Sequence, residues 1–178
     1  VPVISMITRL VSHKGIELVK AVIEDVLHED VQFVLLGTGD FAYEAYFKDL
    51  GKRYEGKVSA NIAFNGDLSR KIYSGADIFL MPSVSEPFGI SALEALQFDV
   101  PIVISRQSGV SEVVDNALKV DYWDSDAMAD AIYAIVKYPA MYKSLSELGR
   151  EEVNNIKWYD AGLKVRRIYD QVLREYRH

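Results

Sequence analysis

No cysteine occurs anywhere in the 178 residues. This excludes a disulfide framework, a thiolate metal site and a cysteine nucleophile, and it fits a cytoplasmic protein. The three histidines are scattered and form no ligand cluster, so no metal site is expected. Positive charge is also short. Twenty Lys and Arg against 26 Asp and Glu leave a net charge of -6 and a pI near 5.1, which argues against a nucleic-acid or anionic-membrane surface. No apolar run approaches the roughly 20 residues that a membrane helix needs, so no membrane span is expected. There is no initiator Met, and "VPVISMITRL" reads as a strand rather than a signal peptide. The chain is therefore expected to be a piece of a longer protein.

What is present suits one α/β domain over residues 1–178, since a chain 49% hydrophobic and 26% charged can bury a sizeable core. Short β-rich apolar runs alternate with helical patterns. Strands are expected at Val3–Thr8, Val31–Gly37, Val58–Phe64, Asp77–Met81, Pro101–Ser105 and Leu118–Val120. Helices are expected near Gly15–Leu27, Phe41–Tyr54, Leu68–Ser74, Ile90–Gln97 and Gly109–Val114. Near-continuous apolar strands such as "VQFVLLG" suit a sheet covered on both faces, and the alternation predicts a doubly wound, Rossmann-like, six-stranded parallel sheet. Asp124 or Ser125 caps a further helix to about Lys137, Pro139 breaks it, and two more helices follow. These last three are expected to pack as an appendage on one side.

In an open parallel sheet, ligands bind at the carboxyl ends of the strands. Those loops are "TRLVSHKG", "GTGDF", "FNGDL", "SVSEPFG" and "SRQSGV". In the first, Arg9 and Lys14 can point into one crevice, where a guanidinium and an ammonium suit a diphosphate. Two solvated surface cations fit the same residues. "GTGDFA" matches a GxGxxA dinucleotide fingerprint, but it follows the second strand rather than the first, and the next strand carries no acid. Gly37 and Gly39 are instead expected to allow close approach of backbone and ligand. In "SVSEPFGISALEAL", a helix starting near Gly89 offers free N–H groups and a positive dipole end to an anion. Glu86 just before it can accept from sugar hydroxyls, and Glu94, eight residues on, can reach a ribose. The alternative makes Glu86 a dipole partner and Glu94 a solvated helix acid.

The order R-x4-KG, then strand–loop–E-P-F-G, then a second Glu resembles the C-terminal, donor-binding domain of retaining GT-B glycosyltransferases, over essentially the whole chain. In the front half "ITRLVSHKGIELV", "QFVLLGTGD" and "IYSGADIFLMPSVSEPFG" are most similar to glycogen and starch synthases. From about Phe88 onward the resemblance is to the wider group of retaining nucleotide-sugar transferases. There, Glu94 and Ser108-Gly109-Val110 depart from the bacterial glycogen synthase pattern. The resemblance implies that Arg9 and Lys14, with Gly15 behind them, bind the donor diphosphate, and that Glu86 holds the transferred sugar. It also implies that Pro87 and the backbone of Phe88, Gly89 and Ile90 line the sugar and phosphate, and that Glu94 holds ribose. "NIAF" resembles the base-binding stretch, with Phe64 packing on the base or, alternatively, ending a strand in the core. The implied donor is ADP- or UDP-glucose with no resident cofactor, and the implied acceptor is a glucan reached through an N-terminal domain; the alternative is a transferase of another sugar to a small or lipid acceptor, or a non-catalytic nucleotide-sugar-binding module.

Overall fold

The computed structural model describes residues 1–176; positions 177 and 178, the end of the expected domain, lie outside the described residues. Six strands form one sheet: β1 (Val3–Ile7), β2 (Gln32–Leu36), β3 (Val58–Asn61), β4 (Ile78–Met81), β5 (Ile102–Ser105) and β6 (Leu118–Val120). Their spatial order is β3-β2-β1-β4-β5-β6, and every pairing is parallel. The order reverses between β1 and β4. Every residue of β4 and β5 is buried, as a sheet covered on both faces requires.

Seven helices complete the described residues: α1 (Ile16–Val26), α2 (Phe41–Arg53), α3 (Gly66–Gly75), α4 (Ile90–Gln97), α5 (Ser125–Lys137), α6 (Pro139–Asn155) and α7 (Trp158–Glu175). One core joins the sheet to α1, α2 and α5 through Val19, Ile23, Phe47, Leu50, Met128 and Ile132. The other joins it to α3, α4 and α6 through Tyr73, Ala92, Leu96 and Val153. The doubly wound, Rossmann-like architecture is therefore present as expected.

Three expectations are corrected. The helix anticipated at Gly109–Val114 is a 3-10 turn, Gly109–Glu112. The amides of Gly109 and Val110 donate across to the carbonyls of Glu86 and Phe88, at 3.0 and 2.6 Å, so this stretch is bound to the β4 loop instead of extending into a helix. Strand β3 ends at Asn61, not Phe64, which leaves Ala63 and Phe64 in a loop. Nor are the last three helices an appendage. With no helix between β5 and β6, α5 packs on those strands and on α1, and α6 packs against α4 and α5, so both are built into the domain. Only α7, which buries none of its residues, stands apart. Among the described residues no helix is long and apolar enough to cross a membrane.

On the α2 side, Glu24 takes two bonds from the Arg53 guanidinium, 2.7 and 2.8 Å, and a third from Tyr54 at 3.2 Å. Foremost the Arg53 hydrogen bonds pull its carboxyl from 4.5 down to about 2. A depressed acid stabilises the fold above its unfolded value and loses that contribution as pH falls through the folded one. Stability is thus expected to decline between about pH 4.5 and 2 on account of Glu24. NMR titration should return its midpoint to the ordinary carboxylate range in Arg53→Ala; an unchanged midpoint would refute the pairing. Because Glu24 is 38% exposed, the effect on stability is modest.

Candidate functional site

At the carboxyl edge of β1 and β4, on either side of the reversal in strand order, two clefts of about 350 and 370 Å³ adjoin and share Ile7, Thr8, Arg9 and Ser91. This is where an open parallel sheet leaves a crevice, because chains leaving adjacent strands turn to opposite faces.

The loops that build it are tied together by backbone. After β1, the amide of Leu10 donates to Thr38 (2.8 Å) and the Leu10 carbonyl accepts from Asp40 (2.7 Å), joining the first loop to the second. A 3-10 turn, Ser12–Lys14, then enters α1 through Gly15 in the left-handed region, φ 75°. A Cβ there would sit 1.9 Å from the Pro82 carbonyl oxygen, so only glycine lets the two loops meet. The His13 carbonyl accepts from Val84 at 2.9 Å, and the Ser105 hydroxyl donates to the Ser83 carbonyl. The β4 loop is thereby clamped between its neighbours.

On this floor Lys14 and Glu86 form an ion pair, their side chains only 15% and 17% exposed. The sequence reading had grouped Lys14 with Arg9; both border the same cleft, yet Lys14's partner is Glu86. Arg9 is exposed and forms no ion pair among the described residues. Pro87, Phe88, Gly89 and Ile90 line the same cleft. Gly89 caps α4 with φ 106°, and a Cβ would lie 2.6 Å from the Met81 methyl. The amides of Ile90 and Ser91 find no backbone acceptor among the described residues, and they open the positive end of the α4 dipole onto the cleft.

The second cleft runs from Arg9 past Gly37 to Phe64, Tyr73 and Glu94. Phe64 is 99% exposed on its loop, which excludes the reading of it as a core residue. Glu94, on α4, accepts from the Tyr73 hydroxyl at 3.0 Å. Gly37 and Gly39 serve loop against loop: a Cβ on either would fall within about 2 Å of backbone oxygen, Thr8 at 1.8 Å and Leu10 at 2.1 Å. Gly37 also borders the cleft; the close approach that requires glycine is to protein backbone.

Sequence reasoning passed over Thr38, Asn65, Ser69, Tyr73 and Ser91, all of which line the clefts. Asn65 left a signal, since it caps α3 by accepting from the amides of Asp67 and Leu68 at 3.1 and 3.0 Å. Tyr73 left none; its spacing is that of any core tyrosine.

A doubly wound sheet with paired clefts astride its switch point defines a Rossmann-like domain, and comparison makes it particular. The family described as Glycosyl transferases group 1 matches residues 1–152, and the chain belongs to it. A glycogen synthase from Kosmotoga olearia is 36% identical over 97% of this chain and 38% of its own length. One from Geobacillus thermodenitrificans is 31% identical over 100% of the chain and 39% of its length. The similarity to glycogen synthases thus runs through the back half as well, and the chain spans well under half the length of these relatives. Sucrose-phosphate synthase from Thermosynechococcus elongatus superposes with a TM-score of 0.79 at 27% identity, covering 98% of this chain and 46% of that one. The catalytic domain of Starch Synthase IV from Arabidopsis thaliana bound to ADP and acarbose superposes at 0.77 with 23% identity, covering 96% and 38%, a likeness of fold. The fold is that of one half of a GT-B enzyme.

Proposed function

We propose that this chain is the donor-binding half of a retaining glucosyltransferase of the glycogen synthase type, taking glucose from ADP- or UDP-glucose to an α-1,4-glucan. The observation that carries the reading is the pair of adjoining clefts over the switch point. Cations and helix N–H groups lie in one of them, and an exposed aromatic with a carboxylate lies in the other. Arg9, Lys14 and the α4 amides would hold the diphosphate, Glu86 the glucose, Glu94 the ribose and Phe64 the base. As the bond from the anomeric carbon to the phosphate oxygen breaks, negative charge grows on the leaving diphosphate and positive charge on the sugar. Preorganised cations and N–H dipoles lower that barrier. Lys14 would serve both, because its ammonium meets the Glu86 carboxylate and borders the cleft.

In this reading the acceptor binds across the cleft on a second, N-terminal domain, and the chain alone holds donor without efficient transfer, since half of the water-excluding enclosure belongs to that domain. No resident cofactor takes part, and the reaction is cytoplasmic. Transfer of another sugar to a small or lipid acceptor is the second reading; the carboxylate of Glu94 in the cleft and the likeness to sucrose-phosphate synthase favour it.

Calorimetric titration of the chain with ADP, UDP, ADP-glucose and UDP-glucose tests the assignment. Phe64→Ala is expected to weaken the preferred nucleotide by about 1–3 kcal/mol, the worth of one base–aromatic stack. Its melting temperature should be unchanged, because the ring touches so little of the protein. Full affinity in Phe64→Ala would remove the base from this loop, and failure of all four ligands to bind would remove the donor from the cleft.

A further inference from the structure

We propose that Tyr73 is a positioning residue: it fixes the carboxylate of Glu94 in the orientation that recognises the hydroxyls of a nucleotide ribose, and so sets the preference for ribose over deoxyribose. The inference rests on the reading of Glu94 as the ribose contact.

The two residues come from different helices, Tyr73 from α3 and Glu94 from α4, and both border the cleft. Tyr73 is 3% exposed. Its ring lies against Phe79, centroids 5.4 Å apart, and stacks on Phe98 at 5.8 Å and 20°. The phenol therefore has little freedom to move. Its hydroxyl donates to Oε2 of Glu94 at 3.0 Å, and burial together with the neighbouring carboxylate raises its pKa, so it stays a protonated donor. Glu94 is itself exposed, and Oε1 has no partner among the described residues. An unrestrained glutamate on a helix surface spreads over several rotamers. Here one oxygen is anchored by a rigid aromatic, which leaves the other as an acceptor of defined direction. A vicinal diol needs that definition more than a phosphate or a base does, because its hydroxyls must both find their acceptor lone pairs.

Binding of ADP and 2′-deoxy-ADP, and of UDP and 2′-deoxy-UDP, is compared for the whole chain by calorimetry. The wild type is expected to prefer the ribonucleotide of its chosen base about tenfold, the scale of a hydrogen bond to a charged group. Tyr73→Phe, which keeps the ring and its stacking, is expected to reduce that ratio at least about threefold with its circular dichroism unchanged. Glu94→Gln should reduce it too, and adding Tyr73→Phe to Glu94→Gln should change it no further. Discrimination kept in full by folded Tyr73→Phe overturns the positioning role and leaves the ribose assignment standing. Equal binding of ribo- and deoxyribonucleotides by the wild type overturns both.

Discussion

Lys14→Ala in the complete enzyme is expected to lower kcat about 100- to 1000-fold, the scale on which one preorganised donor to a developing anion contributes. The physical case is its position. The ammonium sits at the junction of the 3-10 turn and the β4 loop, in contact with Glu86 and beside the N-terminus of α4. On the proposed reading a cation there would act on the leaving diphosphate more strongly in the transition state than in the bound donor, so turnover should suffer more than donor affinity. Loss of the ion pair also costs folding, because Glu86 is only 17% exposed and loses its cation, but water entering from the cleft keeps that cost below the roughly 3–5 kcal/mol of breaking a fully buried pair. Steady-state kinetics beside a melting curve decide the matter. Near-wild-type kcat would remove Lys14 from the chemistry, and a collapse in melting temperature would make the lost activity a loss of fold.

Gly15→Ala is expected to destabilise the fold strongly. Two terms add. The left-handed conformation costs a residue with a Cβ about 1–2 kcal/mol. That Cβ would also press on the backbone carbonyl of Pro82, a clash that side-chain rotation cannot relieve. Relief requires the first loop to part from the β4 loop, which breaks the bond from Val84 to the His13 carbonyl. A combined loss of about 3 kcal/mol corresponds to a fall of about 6–12 °C in Tm for a domain of this size. Gly75→Ala is the control: nothing lies within 4 Å of its added Cβ, and Tm should hold or rise slightly. Equal melting of the two variants would show that the loops are not held as tightly as the geometry implies. Because Lys14 precedes Gly15 directly, donor affinity should fall with stability in Gly15→Ala and stay constant in Gly75→Ala.

The strand-to-helix alternation was legible before any coordinates because periodicity and turn residues are local properties. All six strands fall within the ranges read from the sequence, whereas the place of the reversal, between β1 and β4, is seen only in the structure. Candidate residues were legible where a loop departed from the bland composition of its neighbours. Charge in a buried-strand exit marked Arg9, Lys14 and Glu86, and a glycine at a helix start marked Gly89. What stayed hidden depended on partners distant in the chain. The helix expected after Ser108 became a turn because its amides are spent on the β4 loop. Gly37 and Gly39 turned out to be required by Thr8 and Leu10, about thirty residues earlier, and no local pattern encodes that approach.

By itself, then, the sequence determined the architecture, the edge of the sheet to inspect and most of the polar groups found there, since burial patterning and backbone preference act over a few residues. Only the tertiary structure decided who pairs with whom. It set Lys14 against Glu86, turned Phe64 outward and put the Tyr73 hydroxyl under Glu94. Those choices arise when loops from different strands are brought within hydrogen-bonding distance. That distance is fixed by packing across the whole sheet.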